Sequence, residues 1–286
     1  MGIDELEEKA RQLRIDVIKM NCNAESGHTA GPLGLADIYA ALYFKIMNHK
    51  PKEPEWDGRD RLILSNGHVC PIRYSAIAEA GYFPREELMT FRKIDSRLQG
   101  HPSRLDLPGL ETSNASLGQG LSLAIGIALG LRMDKNKARV YACLSDGELQ
   151  EGSSWEAAMF AAKFKVENLT AFVDRNYIQI DGPTDEIMPS LDPLAEKWRA
   201  FGWEVLEGSG HDMKKIVELF EKAAKVKGKP CVIIFRTIPG KGVSFMEGDY
   251  KWHGTPPKPE EAAKALQELK AAKEDIEWAQ SKIKPK

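Results

Sequence analysis

The chain has 286 residues, 42% of them hydrophobic and 29% charged, which fits a folded soluble protein of one large domain or at most two. A net charge of −2 gives no footprint for nucleic acid, and the longest apolar run, near Leu121–Leu131, is too short to span a membrane. The four cysteines (Cys22, Cys70, Cys143, Cys231) form no CxxC pair and read as reduced, buried thiols of a cytoplasmic protein.

The opening MGIDELEEKARQLR is acidic and helical, unlike a signal peptide. Leu6, Ala10, Leu13, Val17 and Met20 recur at three-and-four spacing and predict an amphipathic helix. A small, polar loop is expected over Asn21–Gly34, then a helix near Ala36–Ile46 and a short strand, RLILS, ending at Asn66-Gly67-His68. Helical signals resume at Pro71–Ala80 and Glu86–Phe91. Gly100–Gly120 is a long loop leading into a helix in which Gly126 and Gly130 are expected to allow close backbone packing.

Two apolar runs, Arg139–Leu144 and Leu169–Val173, flank a helical SSWEAAMFAAKF, whose Ser153 and Glu156 form a capping-box pattern. A helix near Pro193–Phe201, a strand Trp203–Leu206 and a helix Met213–Val226 follow. Cys231–Thr237 is the most apolar strand and is expected inside the sheet. A loop with His253 near its end precedes a charged helix over Ala262–Ile276. Alternating strands and helices predict an α/β fold, a doubly wound and mainly parallel sheet with helices on both faces. The expected organisation is a ligand-binding domain over 1–258 and a helical extension over 259–286.

Asp146 and Asn176 follow the two central runs at a spacing of about 30 residues, the span of a strand–helix–strand unit. A right-handed crossover brings both to the same carboxyl edge of the sheet, where such folds bind ligands. Two hard oxygen donors there suggest Mg2+ or Ca2+ carrying a phosphorylated ligand. Each alone also reads as an ordinary turn residue; their pairing favours the metal. Four histidines touch glycine in loops: His28, His68, His101 and His253. Singly each is equally a surface or core histidine, but together they favour one polar pocket able to move protons. Leu117-Gly118-Gln119-Gly120 presents backbone N–H groups to a ligand or is only a glycine-rich start to a helix. Glu148 and Glu151 are either buried acids of catalytic use or first-turn acids favoured by the helix dipole.

These residues resemble the amino-terminal, diphosphate-binding half of transketolase over nearly the whole chain, from about Arg11 to Gly254. The matching motifs are SGH (Ser26–His28), LSNGH (Leu64–His68), GHP (Gly100–Pro102), LGQG (Leu117–Gly120), DGELQEG (Asp146–Gly152), DRN-Tyr-Ile with IDG after it (Asp174–Gly182) and WHG (Trp252–Gly254). The DG…N pattern alone indicates a thiamine diphosphate enzyme; LQEG with the histidine set narrows it to transketolase-like members. The resemblance implies that Asp146, the side-chain oxygen of Asn176 and the carbonyl of Ile178 hold Mg2+ or Ca2+. It implies that Gly147, His68 and the loop Ala115, Ser116, Leu117 line thiamine diphosphate, and that His253 touches both diphosphate and substrate. His28 and His101 would bind sugar hydroxyls and serve proton transfers, and Glu151 would lie between two cofactors at a dimer interface.

The chain departs from the family pattern at Ser145, where many relatives carry glycine, at Ala115-Ser116, and at Pro239, where some carry lysine. It is also about half the length of a full transketolase and lacks the domain whose glutamate protonates the cofactor's aminopyrimidine. The implied protein is the amino-terminal subunit of a split transketolase, transferring a two-carbon ketol unit between sugar phosphates in the pentose phosphate pathway. It would be active only with a carboxyl-terminal subunit carrying the pyrimidine-binding domain, as an α2β2 heterotetramer. Two alternatives stay open: a related thiamine diphosphate subunit (dihydroxyacetone synthase-like or deoxyxylulose-phosphate synthase-like), and a non-catalytic cofactor-binding half-protein.

Overall fold

Apolar periodicity and chain reversals place ten α-helices and seven β-strands in the computed structural model, which describes residues 1–113 and 116–283. In chain order these are α1 (Ile3–Ala24), α2 (Ala30–Ala41), β1 (Arg61–Leu64), α3 (Cys70–Ala80), α4 (Gly120–Met133), β2 (Val140–Ser145) and α5 (Gly152–Lys163). Then come β3 (Leu169–Arg175), β4 (Ile178–Gln179), β5 (Gly182–Pro183), α6 (Thr184–Ile187), α7 (Leu194–Ala200) and β6 (Glu204–Ser209). The chain continues through α8 (Met213–Lys225), β7 (Cys231–Arg236), α9 (Pro259–Glu268) and α10 (Lys273–Ser281). None of the described helices is long and apolar enough to cross a membrane.

Five strands form one parallel sheet in the order β1-β2-β3-β7-β6, and β4 pairs with β5 in a small antiparallel ribbon. Side chains alternate across the sheet, as the two-residue period of a strand demands. Tyr141, Cys143, Phe172 and Phe235 face a core shared with α1, α2, α3, α8 and α9. Val140, Ala142, Leu144, Val173 and Ile234 face a second core under α4, α5 and α7. The doubly wound α/β expectation is therefore met. β7 lies between β3 and β6, inside the sheet as its apolar run predicts.

Each core has an aromatic centre. Phe220 on α8 meets Phe172 and Phe235 at ring-centroid distances of 5.8 and 5.5 Å. On the opposite face Trp198 packs on Trp155 and Trp203 at 5.2 and 4.8 Å, and the Trp203 indole N–H donates to the Ala158 carbonyl. Fully burying one such side chain contributes on the order of 2 kcal/mol. The four cysteines are buried, free thiols.

Several local expectations change. The second helix begins at Ala30, not Ala36, because Pro32 sits in its first turn, where no backbone N–H is needed. The Glu86–Phe91 segment is a 3-10 turn over Arg85–Thr90. The single helix expected over Ala262–Ile276 is two. Lys270 takes a left-handed conformation, and Ala271 N–H and Lys270 N–H return to the carbonyls of Leu266 and Gln267, a Schellman stop. α9 nonetheless buries Ala262, Ala265 and Leu266 in the same core as α1. Gly126 and Gly130 serve no close packing: a Cβ at either meets nothing within 4 Å. Ser153 does not cap α5; its hydroxyl donates to the Gly118 carbonyl at 3.1 Å.

Candidate functional site

The crossover through α5 sets Ser145 beside Asp174 in the β2–β3 register, so Asp146 and Asn176 leave neighbouring strands at one edge. Asp146 is fully buried. Its Oδ1 accepts the Gly147 N–H at 2.8 Å, and its Oδ2 accepts the Tyr177 N–H at 2.7 Å and Arg175 Nη1 at 3.1 Å. Burial pushes its carboxyl up to about 6 against the pull of Arg175 and the two N–H donors. Arg175 reaches onward to Thr184 Oγ1 and Asp192 Oδ2, tying the floor to the segment after β5.

The turn after β3 carries the remaining oxygens. Asn176 Oδ1 accepts the Ile178 N–H at 3.0 Å, an Asx turn, and its Nδ2 donates to Asp174 Oδ2 at 2.8 Å. Between them Tyr177 adopts φ +64°, a conformation that costs a non-glycine residue roughly 1–3 kcal/mol and is kept where surrounding contacts fix it. Thr237, just past β7, donates its hydroxyl to Asp174 Oδ1. Burial, with Asp146 adding its charge, raises Asp174 to about 7.

A third buried acid closes the opposite wall. Glu148 accepts the Ser65 hydroxyl, the Gly118 N–H at 2.8 Å and the Ser145 N–H at 3.2 Å. Burial raises it to about 7. Ser65 Oγ in turn accepts the Gly120 N–H. Both glycines of LGQG are required here: Gly118 has φ +81°, and a Cβ on Gly120 would collide with the Ser65 side chain.

Over this floor stand the histidines. His28, His68 and His253 form a triangle with ring-centroid distances of 4.7, 5.4 and 5.4 Å. Asn21 Nδ2 donates to the His28 carbonyl and to Thr29 Oγ1, and Thr29 donates to the Thr255 carbonyl at 2.7 Å. That chain of bonds seats the WHG loop on the SGH loop. Burial, then the neighbouring imidazoles and Arg92, lowers His28 to about 4. Burial holds His68 well below its usual value and lowers His253 and, with Arg92, His101. All four are neutral imidazoles at pH 7. Nδ1 of His28 and of His253 is buried with no partner among the described residues.

A cavity of about 430 Å3 joins these parts. Of the residues expected from the sequence, His28, His68, His101, His253, Leu117, Gly147, Asn176 and Ile178 line it. Asp146 is fully buried and does not itself line the cavity, although its neighbours Ser145 and Gly147 do; Ser116 and Glu151 are exposed outside it, and Ala115 falls outside the described residues. Glu148, one of the two acids open to a catalytic or a first-turn reading, is buried and lines the cavity, and so do Asn66 and Asp174, to which motif and spacing gave no assigned place in the site; both amide atoms of Asn66 are buried and unpartnered among the described residues. The signal for Asn66 and Asp174 is the same as for Asp146: a polar residue at the carboxyl end of an apolar run.

The donor chemistry fits a hard cation with a diphosphate. One carboxylate, one amide oxygen and the Ile178 carbonyl are oxygen ligands of the kind Mg2+ and Ca2+ take. Among the described residues no group of three His, Cys, Asp or Glu side chains could hold a metal, which leaves amide and carbonyl oxygens to complete such a set. Three buried carboxyls, Asp146, Asp174 and Glu148, share this edge with one guanidinium, Arg175, so a cation bound there would offset buried negative charge.

A parallel sheet with an oxygen-rich floor under neutral imidazoles defines an α/β domain suited to a small diphosphate-bearing molecule. The chain belongs to the transketolase family: residues 4–279 match the family model described as transketolase, thiamine diphosphate binding domain. It is 41% identical to one of the apulose-4-phosphate transketolase subunits of Actinobacillus succinogenes over 94% of this chain and 98% of that one. It is 46% identical to the 6-deoxy-6-sulfo-D-fructose transketolase subunit SqwG of a Clostridium species over 79% and 82% of the two chains. The solved transketolase of Campylobacter jejuni superposes with a TM-score of 0.89 at 33% identity, covering 98% of this chain and 46% of that one.

Proposed function

We propose that this chain is the diphosphate-binding subunit of a two-chain transketolase that moves a two-carbon ketol unit from a ketose phosphate to an aldose phosphate. The observation that carries the reading is the cavity in which His28, His68, His101 and His253 stand above Asn176 and Ile178. Asp146, Asn176 Oδ1 and the Ile178 carbonyl would hold Mg2+ or Ca2+ and, through it, the diphosphate. Gly147, His68 and the loop of Ala115, Ser116 and Leu117 would line the cofactor. Thiamine diphosphate supplies, when bound, an electron sink for cleaving and forming the carbon–carbon bond. His28 and His101, neutral at pH 7, accept or donate one hydrogen bond to substrate hydroxyls and relay protons; His253 reaches diphosphate and substrate together.

The cofactor's ring is activated in this reading by a separate carboxyl-terminal subunit, in a cytoplasmic α2β2 assembly. Two relatives similar over most of their length are themselves named as transketolase subunits. The exposed apolar side chains Leu123, Met159, Phe160 and Phe164 on and beside α4 and α5 offer a surface for association, with Glu151 at the start of α5. Those relatives act, by name, on apulose 4-phosphate and 6-deoxy-6-sulfo-D-fructose, so a second substrate reading is a sugar of one of these two kinds.

The test is co-expression with a candidate carboxyl-terminal subunit and a ketol-transfer assay on xylulose 5-phosphate, apulose 4-phosphate and 6-deoxy-6-sulfo-D-fructose. Turnover by the pair and none by this chain alone is expected. Turnover by the chain alone, or by neither preparation on any of these donors, overturns the reading.

A further inference from the structure

We infer that Arg92 is a positioning residue that clamps the His28 loop to the His101 loop and thereby sets the two imidazoles of the substrate channel; this rests on the ketol-transfer reading for its role in turnover. Arg92 Nη1 donates to Ser26 Oγ at 2.9 Å, two residues before His28. Its guanidinium lies flat against Gly100, the residue before His101: a Cβ there would stand 2.6 Å from Cζ and from Nη2. One planar group therefore touches both histidine-bearing segments, and glycine at 100 is what admits it.

The surroundings fix Arg92 in this place. Its backbone is left-handed at φ +57°, and its N–H donates to the Leu98 carbonyl at 2.9 Å, so the segment 92–98 closes on itself. Phe91, buried, backs onto Gly27, whose Cβ would meet its ring at 3.1 Å. From α3, Cys70 Sγ donates to the Gly100 carbonyl and the Tyr74 hydroxyl to the Gln99 carbonyl, which holds the second loop from behind. The titratable groups that feel its charge are His28, His101, Cys70 and Tyr74, and its Cζ stands 5.5 Å from the Phe91 ring centroid. Among the described residues no carboxylate pairs with it, and its Nε is buried without a partner. A cation left unpaired beside two imidazoles disfavours their protonation, which suits groups that must accept hydrogen bonds from sugar hydroxyls.

The test uses the full chain for histidine NMR and the chain with its partner subunit for kinetics. In Arg92→Gln the ring resonances of His28 and His101 should move and both should titrate at higher pH, while His49 and His211 stay in place. In the assembled enzyme the same variant should lower kcat/KM on the order of tenfold to a hundredfold with thiamine diphosphate affinity unchanged. Arg92→Lys, which keeps the charge without the fork, should restore the titrations better than the rate. Gly100→Ala, which pushes the guanidinium away, should reproduce the loss even where Arg92→Gln folds poorly. Unmoved His28 and His101 resonances in both variants overturn the clamp, as does full ketol transfer by Arg92→Gln. If the wild-type pair transfers no ketol unit, the functional reading fails by itself, and the NMR comparison still decides whether Arg92 sets the histidines.

Discussion

Asp146 and Arg175 form an ion pair at 3.1 Å that is almost wholly removed from solvent, their side chains 1% and 5% exposed. In the same carboxylate, Oδ2 also takes the Tyr177 N–H. The acid expected to ligate the cation is thus also the anchor of the turn that presents Asn176 and Ile178, and the two duties should fail together. Replacing Asp146 by Ala leaves a buried guanidinium short of a partner, a change that costs roughly 3–5 kcal/mol. Chemical denaturation should register that loss, and calorimetry should register the disappearance of Mg2+-dependent thiamine diphosphate binding. Unchanged cofactor affinity in this variant would remove Asp146 from the ligand set.

Glu148 satisfies three donors: the Ser65 hydroxyl just after β1, the Gly118 N–H just before α4 and the Ser145 N–H at the end of β2. Glu148→Ala strands the Gly118 and Ser145 N–H groups in the wall of the cavity, at roughly 1–3 kcal/mol for each unmet donor. Glu148→Gln restores an acceptor but turns an N–H2 group toward N–H donors, so it should recover only part of the loss. Urea midpoints of the three proteins would rank them wild type, Gln, Ala. Equal midpoints would mean that the LGQG turn is held by Ser65 and Ser153 alone.

The two kinds of glycine in α4 should respond oppositely to alanine. Gly120→Ala drives a methyl into Ser65 and should cost about 2 kcal/mol or more. Gly126→Ala, on an exposed helical face with nothing within 4 Å, should gain about 0.5–1 kcal/mol through helix propensity. Thermal unfolding of the full chain gives both signs in one experiment.

The imidazoles set a pH dependence. Unfolded, His28 titrates near 6.5; folded, burial lowers it to about 4. Between these values the unfolded chain binds a proton that the folded chain refuses, so stability present above pH 6.5 is lost as pH falls toward 4. The shift corresponds to roughly 3 kcal/mol for this residue. Asp174 and Glu148, raised to about 7, slope the opposite way, because folding there favours the protonated acid. Comparing wild type with His28→Asn cancels those acids, and the wild type should lose about 3 kcal/mol more than the variant between about pH 7 and pH 4. Parallel stability curves would show that His28 takes up its proton as readily in the fold as in the unfolded chain.

Much of this architecture is legible in apolar spacing. The crossover between Asp146 and Asn176, the inner position of β7 and the helices flanking the sheet segments follow from period and run length. Polar residues at the carboxyl ends of apolar runs mark the floor of the site, and by that logic Ser65 and Asn66 after β1, Asp174 at the end of β3 and Thr237 after β7 belong with Asp146 and Asn176. Glu148 is not legible in that way. Its partners come from residues 65, 118 and 145, and nothing local separates a first-turn acid from a buried keystone. Ser153 departs from its expected cap for a related reason: its hydroxyl has a carbonyl from another segment in reach, and the distant partner wins over the local one. Gly126 resembles a packing residue because glycine in a helix usually has a neighbour; here the facing surface is open in this chain.

The place of β7 in the sheet carries a consequence for how the protein is made. Synthesis delivers β1, β2, β3 and β6 first, but β7 must then insert between β3 and β6. Until it does, one edge of β3 is bare, Asp174 lacks the Thr237 hydroxyl, and the loop bearing His253 has no seat on Thr29. Parallel pairing across such distances is slow to close, since the chain's loop entropy is lost before the contacts are gained. A ribosome-bound chain arrested before residue 231 would therefore carry Asp146 and Asn176 but neither His253 nor the strand that covers the free edge of β3. The wall of the cavity is completed only by chain made after that late strand, the loop that brings in His253.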